Sequence, residues 1–492
     1  MVSHMNISPE FLPVLVLAFG ALLLFLQDVL LEDVTLSRLI SIALLLCTTV
    51  LSLLLIQSHS HAYIAGDSFL FDSFSQIFGV VFSLSALLVV LTDSQFLKRL
   101  SSPFEFYVLV VLATLGMYFV AASTNLIALF VAFEMSTVAT YAMTLFDKNN
   151  PHSAEAAMKF FVVGALSAGI ILYAISLVYL ATGSIDLKPS FALISPSASR
   201  LLAIGFVLLI VGFGFKVAAV PFHLWLPDTY DGAPYATTTY LASASKVMGF
   251  AALLKIFLTM GPSVQALSHL EWRVLFAALS IVTMSVGNLA ALVQTRVKRM
   301  LAYSSISQSG YILIGLALAS SFSYAVLIYF VLSYAVSKAG SFIVADYFET
   351  KFGASTFDDY AWLGRVAPLS AFSMSIFLLS LAGIPPLSVF VAKFFMFYAA
   401  VKAGGAWIWL AVAGVLNSAL SLYYYARLIK NMYMGVANKQ PREQAFQESI
   451  SHVVPIAISL ALTIALGLAE APILGASQHA INSLYQQILT HP

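Results

Sequence analysis

The sequence contains very little charge. Only 9% of its 492 residues are Asp, Glu, Lys or Arg, whereas a soluble globular domain carries about 25%. The hydrophobic fraction is 61%, and apolar runs long enough to cross about 30 Å of hydrocarbon recur along the chain. The net charge of +1 argues against nucleic-acid binding. These features predict a polytopic helical membrane protein.

Cysteine is almost absent. The single cysteine, Cys47, lies in an apolar run. The chain therefore has no partner for a disulfide within itself, and it has no Cys/His cluster for zinc, haem or iron–sulfur ligation. We predict neither a metal site nor a cofactor-binding site in this chain, and we assign Cys47 to packing.

Nucleotide-binding signatures are also missing. Neither GxxxxGK[ST] nor GxGxxG occurs in the sequence. The longest predicted loops, around 182–199, 348–366 and 435–451, leave no room for a nucleotide-binding domain. The sequence therefore argues against ATP-driven transport by this chain alone, and any energy must come from an ion gradient or a partner subunit.

Hydropathy and helix-breaking residues predict an all-α protein with about fourteen transmembrane helices. The predicted spans are 9–27, 36–57, 69–92, 104–122, 125–146, 156–181, 200–228, 235–259, 272–295, 299–319, 323–347, 367–402, 406–434 and 452–475. The N-terminus lacks a basic segment and a small-residue cleavage site, so we interpret the first apolar run as a retained span.

The distribution of Lys and Arg predicts the orientation, because cytoplasmic loops carry an excess of these residues. With the N-terminus outside, the inner face holds fourteen: Arg38, Lys98, Arg99, Lys148, Lys159, Arg296, Lys298, Arg299, Lys351, Arg365, Arg427, Lys430, Lys439 and Arg442. The outer face holds four: Lys188, Arg200, Arg273 and Lys402. Both termini are therefore predicted outside a bacterial cytoplasmic (inner) membrane. Lys255, near the outer end of its span, is expected to snorkel.

Two spans are interrupted by Pro and Gly. The seventh is expected to break at Pro221 and the twelfth at Gly383, Pro385 and Pro386. Paired transporter halves often carry such breaks at corresponding positions. We predict an N-terminal three-helix region (1–103), a first five-helix repeat (104–259), a second, inverted five-helix repeat (272–434), and a C-terminal helix and tail (435–492). Each repeat would form a half-channel.

Five charged residues lie deep inside apolar spans: Glu134, Lys216, Lys246, Lys338 and Lys393. One such residue costs about 2.5–3.5 kcal/mol on insertion scales, so it usually serves ion transport. The group predicts a charge-carrying path. Glu134 and Lys216 are expected to pair, and a static ion pair that fixes helix register is the alternative interpretation.

Polar residues accompany these charges. Thr239, Ser243 and Lys246 share one helical face, and the spans that follow contain Asn288 and a run including Tyr303 and Ser304. Such hydroxyls either hold a water chain or satisfy neighbouring backbone.

Each of two further residues allows two interpretations. Lys338 is either a relay member or a lysine that reaches a loop or headgroup. His223, which follows the first break, either relays protons or stabilises the break.

Several segments resemble the antiporter-like membrane subunits of respiratory complex I, and in particular its N-type subunits. The segments are Gly-Phe-Gly-Phe-Lys at 212–216, Pro-Phe-His-Leu-Trp-Leu-Pro-Asp-Thr-Tyr-Asp-Gly-Ala-Pro at 221–234, Ala-Ser-Ala-Ser-Lys at 242–246, Lys-Arg-Met-Leu-Ala-Tyr-Ser-Ser-Ile-Ser at 298–307, and Leu-Ser-Leu-Ala-Gly-Ile-Pro-Pro at 379–386. The resemblance covers roughly residues 100–435.

The resemblance implies a proton-translocating subunit of a complex I-type NAD(P)H or ferredoxin:quinone oxidoreductase in respiratory or photosynthetic electron transport. Glu134, Lys216, Lys246 and Lys393 would form the proton path, and Lys159 matches a recurrent family lysine that could equally serve the surface. This chain would carry out no redox chemistry. Flavin, iron–sulfur clusters and quinone are expected in partner subunits, and the partners would be an antiporter-like M-type subunit, small K-, J- and A-type subunits, and lipid.

Two other functions remain open from the sequence. The same fold serves Na⁺/H⁺ antiporter complexes and membrane-bound hydrogenases, and a subunit could also clamp its neighbours without pumping.

Overall fold

The computed structural model describes residues 8–57, 61–92, 103–147, 149–187, 195–435 and 450–490. These residues are almost entirely helical, as the sequence predicts. Six of the cationic residues used to predict orientation lie outside the described residues, namely Lys98, Arg99, Lys148, Lys188, Lys439 and Arg442.

The described residues before 260 form ten α-helices. They are α1 Leu12–Leu31, α2 Val34–Leu55, α3 Ser73–Leu91, α4 Phe104–Ala122, α5 Leu126–Thr144, α6 Pro151–Thr182, α7 Pro196–Val217, α8 Trp225–Gly232, α9 Tyr235–Tyr240 and α10 Lys246–Thr259. A π-helical turn, Leu241–Ser245, joins α9 to α10 in one continuous rod.

The second half adds ten more helices. They are α11 Gly261–Ser268, α12 Trp272–Leu292, α13 Val297–Leu318, α14 Ser321–Phe352, α15 Leu363–Val366, α16 Pro368–Ala382, α17 Ser388–Ala403, α18 Ile408–Met434, α19 Ile450–Leu468 and α20 Glu470–Thr490.

A small antiparallel hairpin, which the sequence analysis did not predict, lies between α2 and α3. Strand β1 (Ala62–Ile64) pairs with β2 (Phe69–Phe71), and Tyr63 faces Leu70. Positive φ angles at the turn suit Gly66 and the short side chain of Asp67.

Polar residues define where several helices begin. Asp72 caps α3 in a reciprocal capping box with Ser75, and Asn125 accepts the Ala128 backbone N–H at the start of α5. Each cap satisfies backbone donors that the first helical turn leaves free. In hydrocarbon no water replaces such partners, so these caps help to set the helix ends.

Twelve helices in the described part of the chain are long and apolar enough to cross a membrane. The pair α19–α20 adds a thirteenth candidate, but it is bent by 81°. The predicted last span, 452–475, is therefore wrong at its end, because α19 stops at Leu468. The twelfth predicted span is made of α16 and α17, which are shorter helices on either side of a break.

The structure interrupts both spans near the predicted prolines. Helix α7 ends at Val217, and Ala218 adopts a left-handed conformation. Helix α16 ends at Ala382, and Gly383 has a φ of +92°. Each left-handed residue is followed three positions later by a proline in a cis peptide bond, Pro221 or Pro386. The two interruptions therefore share the same local backbone pattern.

The helices form a buried inner group within an outer group that is exposed on the surface of the chain. The spans α3, α9–α10, α13 and α14 are buried along most of their length, whereas α1, α2 and α18 are mostly exposed. The deep lysines Lys246 and Lys338 lie on the inner helices and are 1% and 0% exposed. Packing of the bundle therefore removes these two lysines from lipid.

One predicted detail of Lys255 is wrong. This lysine is 2% exposed and donates a hydrogen bond to the Ala121 carbonyl, 2.5 Å away, instead of snorkelling. The capping residue Asp72 acts on it electrostatically. A carbonyl and a carboxylate within the bundle replace the water that snorkelling would reach.

The close packing of α12 against α13 depends on glycine. A Cβ added at Gly310 would lie 2.5 Å from the Met284 backbone nitrogen and 2.8 Å from the Ser280 carbonyl oxygen. These are backbone atoms, so side-chain rotation cannot relieve the clash. Gly310→Ala should therefore destabilise the protein by about 1–3 kcal/mol, measured as a lower thermal unfolding temperature of the detergent-solubilised complex.

Gly169→Ala is the matched control. An added Cβ at this helical position meets no atom within 4 Å, and Ala favours a helix by about 1 kcal/mol over Gly. Its unfolding temperature should stay the same or rise. Equal unfolding temperatures for the two variants would contradict the close-approach explanation.

Candidate functional site

The first part of the site is formed by α5 and α7. Lys216 lies in the last turn of α7, is 1% exposed, and donates a hydrogen bond to Thr137 Oγ1 at 3.1 Å. Glu134 acts on Lys216 electrostatically from the same helix face as Thr137 and is itself half-buried. The predicted partnership is therefore electrostatic, and the direct acceptor is a hydroxyl that the sequence analysis missed.

Aromatic rings complete the surroundings of Lys216. Its ammonium lies 5.6 Å from the Phe133 ring centre and 5.5 Å from that of Phe160. Such contacts stabilise a desolvated cation through the ring quadrupole. On the other side, Lys216 packs against Gly249, where an added Cβ would come within 3.2 Å of its side chain. This contact brings α7 against the helix that carries Lys246.

The central part of the site lies on one turn of α13. Lys246 donates to the Ser305 carbonyl at 2.8 Å, and Lys338 donates to Ser304 Oγ at 2.6 Å. Two buried lysines from different helices thus reach adjacent residues of a third. The structure places Lys338 inside the bundle, not at a loop or headgroup.

The polar stripe before Lys246 is present, but its hydroxyls are engaged. Ser243 donates to the Thr239 carbonyl at 2.7 Å, and Thr239 donates to the Tyr235 carbonyl at 2.8 Å. Each can rotate to another acceptor, because a hydroxyl has one donor and two lone pairs. The π-helical turn interrupts the regular α-helical hydrogen-bond spacing beside this stripe, a feature that often marks functional sites.

The last lysine lies at the second break. Lys393 donates to the carbonyls of Leu381 at 3.0 Å and Ala382 at 3.2 Å, and its ammonium lies 4.1 Å from the Tyr311 ring centre. These carbonyls end α16, where the helix dipole favours a cation. An added Cβ at Gly383 would lie 3.1 Å from Lys393 Cδ, so both backbone conformation and space favour glycine there.

Polar side chains connect this end of the site to its neighbours. Gln308 Nε2 shares the Leu381 carbonyl with Lys393. Beyond Tyr311, Asn288 donates to Asn417 Oδ1 at 3.0 Å and accepts from the Tyr424 hydroxyl at 3.0 Å. The sequence analysis singled out Asn288, but Asn417 and Tyr424 lie in a distant span whose role only the fold reveals.

A second line of hydroxyls leaves the break in another direction. Ser380 lies 3.4 Å from Ser388 and 3.2 Å from Ser337, and Ser337 lies 3.3 Å from Thr463 of α19. These oxygen–oxygen distances allow weak hydrogen bonds. The line connects the second break to α14 and to the last apolar helix.

Two further sequence candidates have other neighbours. His223 is 9% exposed within the first break, beside the Pro221 backbone. Its position fits stabilisation of the break. Tyr303 is half-buried, with the Arg299 guanidinium 5.9 Å from its ring centre, so it lies toward the rim of the bundle.

Lys159 belongs to an ion-pair network at that rim. It contacts Glu155 at 2.8 Å and Asp228 at 2.7 Å, while Arg299 contacts Asp228 at 2.9 Å. Partial burial of Asp228 opposes its ionisation, but the hydrogen bonds from Lys159 and Arg299 outweigh burial and hold its pKa below the usual value. The network ties α8 to α6 and α13, next to a polar cavity of about 140 Å³.

No group of three or more His, Cys, Asp or Glu side chains in the described residues could hold a metal ion. The site as described is built from ammonium groups, hydroxyls, carbonyls, side-chain amides and the carboxylate of Glu134. Groups of this kind bind and release protons or order water.

Comparison with known proteins gives a consistent picture. The family described as NADH:quinone oxidoreductase/Mrp antiporter, TM matches residues 123–421. F(420)H(2) dehydrogenase subunit N of Methanosarcina mazei is 40% identical over 438 residues, covering 86% of each chain. NADH-quinone oxidoreductase subunit N of Parvibaculum lavamentivorans is 35% identical over 483 residues, covering 97% of this chain and 98% of that one.

A solved structure is also similar. A chain of respiratory complex I from Thermus thermophilus superposes with a TM-score of 0.78 at 30% identity, covering 94% of this chain and 99% of that chain.

The rim network predicts a small, pH-dependent contribution to stability. Asp228→Asn should lower the free energy of unfolding by less than about 1 kcal/mol at neutral pH, because exposed ion pairs are screened by solvent. Since the native pKa of Asp228 is lowered, the wild-type advantage is present above the unfolded-state pKa and is lost as pH falls through the native pKa. Thermal unfolding of both proteins as a function of pH measures this difference, and a difference that grows in acid would contradict the network's role.

Proposed function

This chain belongs to the NADH:quinone oxidoreductase/Mrp antiporter family of membrane subunits, and we propose that it moves protons across the membrane within a complex I-type, quinone-reducing enzyme. Electron transfer takes place in partner subunits, which hold the flavin, iron–sulfur clusters and quinone site. This chain supplies the membrane path.

One observation carries the proposal. Lys246 and Lys338, two lysines buried on different helices, meet on adjacent residues of α13, with Lys216 and Lys393 at the two helix breaks. A buried cation is expensive, so the grouping of these four at the two breaks and at their junction on α13 needs a reason beyond packing. Protons would pass from the inner side through Glu134 and Lys216, cross by Lys246 and Lys338, and leave through Lys393.

The surroundings of the lysines suit reversible protonation. Each of the four donates to a carbonyl or hydroxyl. A neutral acceptor leaves no buried carboxylate unpaired when the lysine loses its proton, whereas breaking a buried ion pair costs about 3–5 kcal/mol.

The energies involved are of the right size. Moving one charge against 100 mV costs about 2.3 kcal/mol, and one unit of pKa change corresponds to about 1.4 kcal/mol. Shifts of a few units, driven by a neighbouring charge, can therefore move a proton against the membrane potential. Glu134 is the natural receiver of such a signal, because it is half-buried at the surface of the chain.

The outward route is proposed along the hydroxyl line from Ser388 through Ser380 and Ser337 to Thr463. Helix α19 carries this line toward the bend before α20. This route and the predicted half-channel repeats, 104–259 and 272–434, are parts of the same proposal.

The proposed orientation keeps both termini outside a bacterial inner membrane. Contacts between loops support the grouping of helix ends. The α12–α13 turn pairs with the loop after α14 through Arg296 and Thr356, at the face proposed as inner. The α4–α5 turn pairs with the segment after α6 through Asn125 and Asp186, at the opposite face.

Lys216→Ala tests the first half of the path. Proton uptake by inverted membrane vesicles, driven by the native electron donor, should fall about tenfold or more, while native gels show an assembled complex. Lys402→Ala, at an exposed lysine on the outer end of α17, is the matched control and should pump normally. Wild-type uptake by Lys216→Ala would favour a scaffold role, and uptake that requires sodium would favour an antiporter.

Lys338→Ala tests the central link. Loss of the ammonium that contacts Ser304 should interrupt transfer and reduce uptake about tenfold or more. Lys351→Ala lies on the same helix at an exposed position and should leave uptake unchanged. If both variants pump like the wild type, Lys338 lies off the path and serves only packing.

A further inference from the structure

A cluster of titratable residues lies at the inner end of α14, away from Glu134 and Lys216. Lys298 of α13 donates to the Ala233 carbonyl at 2.6 Å, and its ammonium lies 4.0 Å from the Tyr235 ring centre. The Tyr235 hydroxyl donates to Glu349 Oε2 at 2.6 Å. Helices α9, α13 and α14 each contribute at least one residue to this cluster.

Asp346 is the unusual member. Asp346 is 4% exposed. In the described structure its Oδ1 accepts a hydrogen bond from the Thr350 hydroxyl at 3.1 Å. Oδ2 is buried and has no partner there. A buried carboxylate oxygen without a donor is costly, and protonation removes the charge that causes the cost.

The groups that face Asp346 and its neighbours are of both signs. They are Asp231, Tyr235, Arg296, Lys298, Glu349 and Tyr360. Helix α19 adds His452, whose ring centre lies 5.3 Å from that of Tyr347. Because the Lys298 ammonium already provides the positive charge, the cluster suits a proton better than a metal cation.

Two helix faces lead from this cluster to the central lysines. On α14, Glu349 lies eleven positions after Lys338, with Asp346 between them, and the ammonium of Lys338 lies 5.5 Å from the ring centre of the intervening Phe342. These positions share one helical face. The distance along the α14 axis from Glu349 to Lys338 is about 16 Å at 1.5 Å per residue.

The second face belongs to the rod made of α9, the π-helical turn and α10. Tyr235, Thr239, Ser243 and Lys246 follow one another at spacings of four, four and three. The rod packs directly against α14. Both routes therefore start at the same cluster and end at the two lysines that meet on α13.

The cluster also has access to the inner solution. Glu349 is half-buried, and its contact with Tyr235 links the surface to the buried Lys298 and Asp346. A proton arriving at Glu349 can pass to Asp346 without crossing the Glu134–Lys216 region.

We propose that Glu349, Asp346, Lys298 and Tyr235 form a proton-loading site on the inner face that supplies Lys338 and Lys246 directly. This site is a second uptake site, loaded together with the one at Glu134 and Lys216 in each pumping cycle, so the loss of either site blocks turnover. It rests on the proposed proton-pumping function. Asp346 holds the proton, Lys298 balances the charge, and Glu349 exchanges with the inner solution.

Asp346→Asn tests the proposal in inverted vesicles, whose outer surface is the inner face. Initial proton uptake, driven by the native electron donor, should fall about tenfold at about pH 8 and recover toward the wild-type rate at about pH 6, where protons are about a hundredfold more concentrated. Direct protonation of Lys338 from solution is faster in acid, so the defect shrinks as pH falls. Asp346→Glu should restore uptake at both pH values.

Asp358→Asn is the matched control, because Asp358 is an exposed acid beyond the same end of α14. It should behave like the wild type at both pH values. If Asp346→Asn takes up protons at the same rates as this control at both pH values, the proposal is overturned. If Asp346→Asn fails to assemble, Glu349→Gln takes its place with the same expected pH rescue, and a loss without pH rescue would overturn the loading site.

Lys216→Ala, measured in parallel, separates the two ideas. If Lys216→Ala loses uptake while Asp346→Asn takes up protons normally, the proposed loading site is contradicted and the proposed pumping function is kept. Normal uptake in Lys216→Ala with a pH-rescued loss in Asp346→Asn keeps the loading site and removes the role proposed for Lys216.

Discussion

The structure depends on how the bundle supplies partners for polar groups that have no access to water. In hydrocarbon an unsatisfied backbone group or ammonium costs several kcal/mol. Breaking α7 and the α16–α17 span frees carbonyl groups, and Lys393 uses the carbonyls that α16 leaves at its end. At the first break, the Trp225 indole donates to the Phe215 carbonyl at 3.0 Å. At each break, a carbonyl group freed by the break accepts a hydrogen bond from a nearby side-chain donor, so both groups have a partner.

The chain separates two kinds of cation. At the rim, Lys159, Arg296 and Arg299 contact carboxylates directly. In the interior, the deep lysines donate to hydroxyls and carbonyls. Direct ion pairs favour a permanently charged group, whereas neutral acceptors tolerate a lysine in either protonation state. This division distinguishes residues that fasten helices from residues suited to carrying a proton.

The buried inner helices explain why the lysines meet. Helix α14 runs unbroken over 32 residues, from Ser321 to Phe352, and carries Lys338, Asp346 and Glu349. It contacts α13, the α9–α10 rod, both halves of the second broken span and α19. The helix therefore carries Lys338 and the cluster around Asp346 through the buried inner part of the bundle.

The sequence by itself determined the fold class, the two breaks and the positions of four deep lysines, which are Lys216, Lys246, Lys338 and Lys393. Long apolar runs admit only helices in a membrane, and Pro or Gly in such runs interrupts them. The tertiary structure alone decided which groups meet. Thr137 and Asn417 contact Lys216 and Asn288, which lie on helices distant in sequence from their own, so no local pattern signals their role. Lys255 was misread for the same reason, because its carbonyl partner at Ala121 is supplied by another helix.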